Sequence, residues 1–93
     1  LLNDTVFVEA AQALGRAAAA LSAGDDARID ELFLRVLSRR PRAEERSELR
    51  RFVAAQRPRY AAAPQDARTV AGGGDKDAPE RAAWTLAARA LLN

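Results

Sequence analysis

Two residue types that carry much of enzyme and metal chemistry are missing from this sequence. Among its 93 residues there is no cysteine and no histidine. Without cysteine the segment can form no disulfide, has no thiolate nucleophile and cannot attach a haem covalently. Without histidine it lacks the usual general base and metal ligand, so that Ser22 and Ser38 have nothing to activate them. We therefore predict that the segment is not an enzyme and has no metal or cofactor site of its own.

Large apolar side chains are also scarce. The aromatic residues are Phe7, Phe33, Phe52, Tyr60 and Trp84. Much of the hydrophobic fraction of 48% is alanine, which buries little area per residue, so we expect modest stability. A chain of this length has room for one core, which predicts a single domain over residues 1–93. No stretch approaches the roughly 18 apolar residues of a membrane span, and the opening residues lack the pattern of a signal peptide.

The charge is nearly balanced. There are 15 basic and 13 acidic residues, for a net charge of +2, although the sequence pI is 9.9. Only Lys76 is lysine, and the abundance of arginine and alanine is typical of a GC-rich genome. A net charge of +2 produces a weak field, so the composition alone does not indicate a nucleic-acid partner.

Apolar residues at spacings of three and four predict two helices in the first 40 residues. The first helix should begin at Asp4, whose side chain can cap free amides, and end near Gly24, which suits a left-handed C-cap. The second should begin at Asp25 and stop before Pro41, which lacks an amide hydrogen. The apolar faces are Phe7, Ala11, Leu14, Ala18 and Leu21 in the first helix, and Ile29, Leu32, Phe33, Val36 and Leu37 in the second.

A third helix should restart near Ala43 and be kinked or ended by Pro58. Its apolar side consists of Leu49, Phe52, Val53 and Tyr60. No alternation of apolar and polar residues predicts a strand anywhere. The sequence thus predicts an all-α fold, a small bundle of four main helices in which the second and third form a hairpin around the corner at residues 38–42.

The last third of the chain predicts a loop and then the fourth main helix. Residues 64–71 are expected to add only a short helical turn, and residues 72–77 a flexible, glycine-rich loop. Asp77 and Glu80 have the spacing of a capping box, and we expect Trp84 to anchor the core. The glycines do not indicate a phosphate-binding loop, because no strand precedes them and no Gly-Lys-Ser/Thr ending follows. The residues do not indicate a calcium loop either, because the later bidentate glutamate of such a loop is missing.

The most basic stretch lies between Arg39 and Arg59, where eight arginines stand against three glutamates, a balance of +5. It offers a candidate contact for nucleic acid or an acidic polysaccharide through Arg39, Arg40, Arg42, Arg46, Arg50 and Arg57. Glu44 and Glu45 argue against a DNA-reading helix-turn-helix, since they occupy the end that would approach phosphates. The arginines also suit helix ends and solvent-exposed faces. Polyanion binding is therefore the alternative function, and nucleic acid is a disfavoured partner.

Several short motifs together resemble a known family. They are Leu1–Asp4 with Phe7–Ala11, Leu37–Pro41 with Glu44 and Glu45, then Gln56 and Tyr60, and finally Ala83–Thr85 with Ala88–Asn93. The chain resembles the C-terminal domain of the planctomycete-type proteins associated with cytochrome c domains, a large bacterial family of unknown function. Two departures are Arg42, where the family usually has a threonine cap, and Pro58 in a helix normally free of proline.

The resemblance implies a location outside the cytoplasm, periplasmic or extracellular. It also implies an export signal and often a haem-attachment region in preceding domains, with a role in electron transfer or polysaccharide breakdown. The chain begins without methionine and stops within an apolar helical pattern, so we expect it to be a piece of a longer protein.

The main functional prediction is a non-catalytic structural or docking domain. Its partner is expected to be the preceding domains of the same polypeptide or another protein, and binding is expected to bury apolar helix faces. The leucines predicted to remain for docking once the local core is filled are Leu1, Leu2, Leu34, Leu86, Leu91 and Leu92.

Overall fold

The structure, a computed structural model, describes residues 4–93, and this part of the chain is helical without any strand. The helices are α1 (Thr5–Ala20), α2 (Asp25–Leu37), α3 (Ala43–Ala61), α4 (Pro64–Ala71) and α5 (Ala78–Leu92). The predicted all-α class is confirmed. The predicted number of four main helices is wrong, because residues 64–71 form an eight-residue helix rather than a single turn.

The predicted cap of α1 is confirmed, whereas the predicted end is wrong. The Asp4 side chain accepts a hydrogen bond from the amide of Val6 at 2.8 Å, which satisfies a donor that the first turn leaves free. Gly24 is not a left-handed C-cap, since its φ is −76° and it precedes the first residue of α2. It serves instead as the N-cap of α2, where a glycine provides no side-chain acceptor.

The corner between α2 and α3 forms as the sequence predicts. Ser38 takes the left-handed conformation with φ 58° at the end of α2, and its amide donates to the carbonyl of Leu34. Pro41 is buried in the corner. Arg42 stands at the N-cap of α3, and the Glu45 carboxylate accepts from the Arg42 amide at 2.8 Å. Glu45 therefore provides one half of a capping box without the usual threonine.

Pro58 does not end α3; an end there was one of the two predicted outcomes, and the other, a kink, stays a prediction. The helix continues past it to Ala61. Proline removes the hydrogen bond to the carbonyl four residues earlier, which belongs to Ala54. Both Pro58 and Ala54 lie on the exposed side of α3, so water can satisfy that carbonyl and the helix tolerates the proline.

The predicted capping box at the start of α5 is also wrong. Asp77 takes a left-handed conformation with φ 54°, and its side chain makes no capping hydrogen bond. Glu80 turns inward to other side chains instead. Pro79 does occupy the first turn, as expected, where its missing amide costs nothing. Residues 72–77 connect α4 to α5 and are exposed throughout; their flexibility stays a prediction.

The last helix, α5, is the centre of the fold and contacts all four others. Trp84 is completely buried, which confirms it as a core anchor. The main core contains Trp84 with apolar residues of α1, α2 and α3, among them Ile29, Leu32, Phe33 and Val53. A second, smaller cluster surrounds Tyr60 and joins α4 to the start of α5 through Ala67, Ala71, Ala78 and Ala82. No helix within residues 4–93 is long and apolar enough to cross a membrane.

Small residues allow α1 and α5 to approach closely. Gly15 packs directly on Thr85, and a Cβ built on Gly15 would lie 2.7 Å from the Thr85 backbone nitrogen. Thr85 is 2% exposed, and its hydroxyl has no hydrogen-bond partner among the described residues. Buried alanines of both helices flank this crossing, including Ala11 and Ala18 of α1. The short distance between α1 and α5 is therefore set by small residues at their contact, and not by large apolar side chains.

Candidate functional site

Five half-buried or buried residues form a hydrogen-bonded group that we call the central charge network: Asp25, Arg28, Arg57, Glu80 and Trp84. The Arg57 guanidinium donates to both oxygens of Asp25, at 2.7 and 2.6 Å, and to both oxygens of Glu80, at 3.0 and 2.7 Å. Arg28 donates to Glu80 at 2.9 Å, and the indole nitrogen of Trp84 donates to it at 3.0 Å. Glu80 thus connects α5 to both α2 and α3.

Arg28 extends this network to α1. Its guanidinium donates to the carbonyl of Leu21, just beyond the end of α1, at 2.9 and 3.3 Å. The same guanidinium lies over the Trp84 ring, 5.8 Å from its centroid, a distance at which a cation is attracted to an aromatic face. The network therefore joins four of the five helices around the largest core residue.

Ion pairing shifts the acidity of the network. Hydrogen bonds from Arg57 hold the pKa of Asp25 below its ordinary value of 3.8, although burial opposes the shift. Hydrogen bonds from Arg57, and secondarily from Trp84, likewise hold the pKa of Glu80 below 4.5. The two carboxylates raise the pKa of Arg57. All three groups remain charged at neutral pH, so the network acts as a fixed set of ion pairs and not as a proton donor or acceptor.

The arginines predicted to contact a polyanion are mostly paired with carboxylates of the same chain. Arg39 donates two hydrogen bonds to the carboxylate of Glu45, at 2.8 and 2.9 Å. These bonds lower the pKa of Glu45 to about 2. Arg42 lies 3.5 Å from Glu44. The remaining pairs cross from α3 to α2, namely Arg46 with Asp30, Arg50 with Asp26 and Arg57 with Asp25.

Arg40 is the exception among the six predicted arginines. It is exposed and makes no ion pair with any residue from 4 to 93. The net charge of +5 counted between Arg39 and Arg59 is therefore largely offset by acidic residues of α2 and α5 that lie close to these arginines in the fold. This pairing holds α3 against α2, while Arg51 and Arg59, like Arg40, are exposed without an ion pair among residues 4–93.

Replacing Arg57 with methionine should lower the free energy of unfolding by about 1–2 kcal/mol at pH 7, between the values typical of exposed and buried pairs. Asp25 would then lose its hydrogen-bonded cation, and Glu80 would keep only Arg28. Because their folded-state pKa values are depressed, their stabilisation is present above pH ~5 and is lost as the pH falls through the folded pKa values. Urea denaturation from pH 7 to pH 3 should show the difference between the two proteins shrinking with acidification.

Arg50→Met is the matched control for this substitution. Arg50 and Asp26 form a comparable pair, but their side chains are 48% and 59% exposed. Exposed pairs contribute little, so this variant should lose less than about 0.5 kcal/mol. Equal losses in the two variants, or a difference for Arg57→Met that does not depend on pH, would show that the network does not stabilise the fold.

The leucines predicted for docking fall into different environments. Leu34 is 45% exposed. Leu91 and Leu92 are partly buried against the main core, whereas Leu86 packs on the second cluster around Tyr60. Leu1 and Leu2 lie outside the described residues. Leu37, which the sequence assigned to the buried face of α2, is 40% exposed instead.

An open apolar groove is lined by residues of α2, α3 and α5. Its volume is about 340 Å³, and it is lined mainly by Phe33, Leu49, Phe52 and Leu91, with Glu45 and Glu48 as its acidic members. Leu37 follows Phe33 by one helical turn and therefore lies on the same side of α2 as Phe33, whereas Leu34, the residue next to Phe33, faces about 100° away from it around the helix. We call Leu37 and the groove together the docking face.

A larger and more polar depression of about 630 Å³ lies between the end of α1 and the start of α5. Arg81 donates here to the carbonyls of Lys76, Gly73 and Gly74, at 2.8 to 2.9 Å. A phosphate-binding loop would direct amides, not carbonyls, toward its ligand. The glycine loop is thus organised around an arginine of its own chain. Within residues 4–93 no three acidic side chains are placed to hold a metal ion.

The pairing of α2 with α3 was accessible from the sequence but was missed there. Asp30 and Arg46 each lie eight residues from Ser38, and Asp26 and Arg50 each lie twelve residues from it. Residues equidistant from the corner of an antiparallel hairpin are neighbours. Opposite charges placed symmetrically about Ser38 were therefore a usable signal. No such symmetry in the sequence predicted the ion pairs of Glu80, which lies on α5, far along the chain from the α2–α3 corner.

The fold and its surfaces define a small all-helical domain in which ion pairs connect α2, α3 and α5. Comparison with protein families identifies it further: residues 1–53 match PSD1, a protein family of unknown function (DUF1553). The chain belongs to this family. No curated protein and no solved structure gives a match.

Proposed function

We propose that the chain is a non-catalytic helical domain that binds another protein surface through the docking face. The observation that carries this proposal is the open apolar groove lined by Phe33, Leu49, Phe52 and Leu91, with Leu37, which is 40% exposed, one helical turn from Phe33. Single exposed leucines are common on protein surfaces, but a groove lined by two phenylalanines and two leucines is a contiguous apolar area. Covering it would remove leucine and phenylalanine surface from water, at about 25 cal/mol per Å².

The absence of cysteine provides a direct test of docking. Leu37→Cys and Val6→Cys each introduce a single thiol into the 93-residue chain, and Val6, on α1, is 74% exposed. Reaction with a thiol reagent should proceed at similar rates in the 93-residue chain at high dilution. In the longer polypeptide that we expect to contain the chain, or in the assembled state, the Leu37→Cys thiol should react at least tenfold more slowly, while Val6→Cys should not change. Equal rates throughout would contradict docking through this face.

The wider setting follows from the family resemblance and is likewise a proposal. We infer that the domain is part of an exported bacterial polypeptide, periplasmic or extracellular, of the planctomycete type associated with cytochrome c domains. Any haem would then be held by other domains of that polypeptide. Sequencing the flanking reading frame tests this: an upstream export signal with a Cys-x-x-Cys-His segment supports it, and a complete cytosolic gene without either contradicts it.

The ion pairs weigh against the alternative of polyanion binding. Arg46, Arg50 and Arg57 would have to leave their carboxylates to contact phosphate or sulfate groups. We therefore expect affinity for duplex DNA or heparin no tighter than the ~10⁻⁴ M of weak non-specific binding at physiological salt. Fluorescence anisotropy over a salt series measures this.

Arg40→Ala is the informative variant in that experiment, because Arg40 is exposed and not engaged with a carboxylate among the described residues. It should remove most of any residual affinity, whereas Arg46→Ala should reduce stability more than affinity. Tight binding that weakens steeply with salt and depends on Arg46, Arg50 and Arg57 would favour the polyanion function instead.

A further inference from the structure

A small pocket of about 260 Å³ lies where the end of α3 meets α4, and it shares no residue with the docking face. It is lined by Arg59, Tyr60, Ala63, Asp66, Thr69 and Val70. Cavities that bind small molecules usually measure about 300–1,000 Å³, so this one has room only for a small ligand. We propose that the pocket binds a small zwitterion of the α-amino acid class, with its carboxylate at Arg59 and its ammonium group at Asp66.

The hydroxyl of Tyr60 is the first feature that indicates a ligand. Only 5% of Tyr60 is exposed, and the residue belongs to the second cluster with Ala67 and Ala71. Its hydroxyl makes no hydrogen bond among residues 4–93, yet the protein does not enclose it completely. The small exposed part of Tyr60 therefore includes the hydroxyl. A buried tyrosine usually has a hydrogen-bond partner, and a molecule in the pocket would supply one.

Two opposite charges line the pocket without pairing. Arg59 and Asp66 are exposed, and neither forms an ion pair within the described part of the chain. The Arg59 guanidinium lies over the Tyr60 ring, 5.2 Å from its centroid, and donates to the side-chain oxygen of Gln56 at 3.3 Å. These contacts hold it on the α3 side, out of reach of an ion pair with Asp66. The pocket is therefore complementary to a ligand that itself carries both charges.

The donors and acceptors of the pocket match the two ends of such a ligand. A carboxylate can accept from Arg59 and from the Tyr60 hydroxyl, and hydrogen bonds between charged groups are the stronger ones. The Thr69 hydroxyl already donates to a backbone carbonyl at 3.1 Å, so its oxygen is left to accept. An ammonium group can donate to Asp66 and to that oxygen. A carboxylic acid without an ammonium group would place its negative charge near an unpaired Asp66, so it should bind less well.

Titration of the isotopically labelled chain with glycine, followed through the amide NMR signals of residues 59–70, tests the proposal. These signals should shift and reach saturation in the millimolar range, as expected for a ligand of so few atoms. Acetate and methylammonium each carry only one of the two charges. Each should therefore bind at least tenfold more weakly than glycine.

Three variants assign the binding to this pocket. Arg59→Met and Asp66→Asn should each weaken glycine binding at least tenfold, because each removes one of the two charges. Tyr60→Phe keeps the buried ring and should weaken binding severalfold, while circular dichroism checks that the helical content is unchanged. Arg51→Met is the matched control and should leave binding unchanged, since Arg51 is an exposed arginine of α3 without an ion pair among residues 4–93 and lies outside the pocket.

Three results would overturn the proposal: signals that do not saturate in the millimolar range, acetate that binds as tightly as glycine, or pocket variants that bind glycine as well as the original chain. None of them bears on docking, because the docking face and this pocket have no residue in common.

Discussion

Replacing Trp84 with alanine should lower the free energy of unfolding by about 3–5 kcal/mol, the usual loss when a buried tryptophan is truncated. Trp84 is completely buried in the main core, and its indole nitrogen is hydrogen-bonded to Glu80. Small domains are typically stable by only 5–15 kcal/mol, and here the rest of the core is rich in alanine. We expect the variant to be largely unfolded at 37 °C, as measured by the helical circular dichroism signal during urea and thermal denaturation.

Trp84→Phe separates the two contributions of this residue. Phenylalanine retains most of the apolar volume but lacks the donor to Glu80, so the loss should be about 1–2 kcal/mol, from the missing hydrogen bond and the smaller ring. A Trp84→Ala variant that unfolds at the same urea concentration as the original chain would contradict the central position assigned to α5.

Replacing Gly15 with alanine should destabilise the fold by about 2 kcal/mol, although alanine is the better helix former by about 1 kcal/mol. The added Cβ would lie 2.7 Å from both the backbone nitrogen and the Cα of Thr85. Backbone atoms cannot rotate away as a flexible side chain can, so α1 and α5 must move apart and loosen the contacts along both helices. The midpoint of urea denaturation measures the effect.

Two controls make this result specific. A Cβ at Gly24 meets no atom within 4 Å, so Gly24→Ser should change stability by only a few tenths of a kcal/mol, in the favourable direction, by supplying an N-cap to α2. Adding Thr85→Ala to Gly15→Ala should not restore stability, since the Cβ would still meet the Thr85 backbone. Increased stability in Gly15→Ala would mean that helix propensity, not close packing, governs this position.

Local signals explain why the α2–α3 hairpin was predictable from the sequence. Pro41 stops α2, Glu45 helps to start α3, and the apolar stripe containing Ile29 and Leu32 defines the buried face. Each of these effects acts within one or two helical turns. The same reasoning correctly placed the cap at Asp4.

Predictions failed where an environment distant in sequence decided the outcome. Pro58 is accommodated because its side of α3 is exposed. Glu80 pairs with Arg57, 23 residues earlier, and with Arg28, 52 residues earlier, instead of capping its own helix. Only the packing of α5 against α2 and α3 reveals these contacts. The candidate site was likewise only partly predictable: Leu91 was identified from the sequence, but the groove that it lines requires three helices in place.

The symmetric ion pairs of α2 and α3 suggest an order in which the hairpin closes. Asp30 and Arg46 are separated by 16 residues, Asp26 and Arg50 by 24, and Asp25 and Arg57 by 32. Once the innermost pair has formed, each further pair closes only a short additional loop, whose entropic cost is small. The contacts of the hairpin can therefore form in sequence, starting next to Ser38 and ending at the residues farthest from it. Arg57 forms the last of these pairs, and its guanidinium is then in place to bind Glu80 when α5 packs against the hairpin.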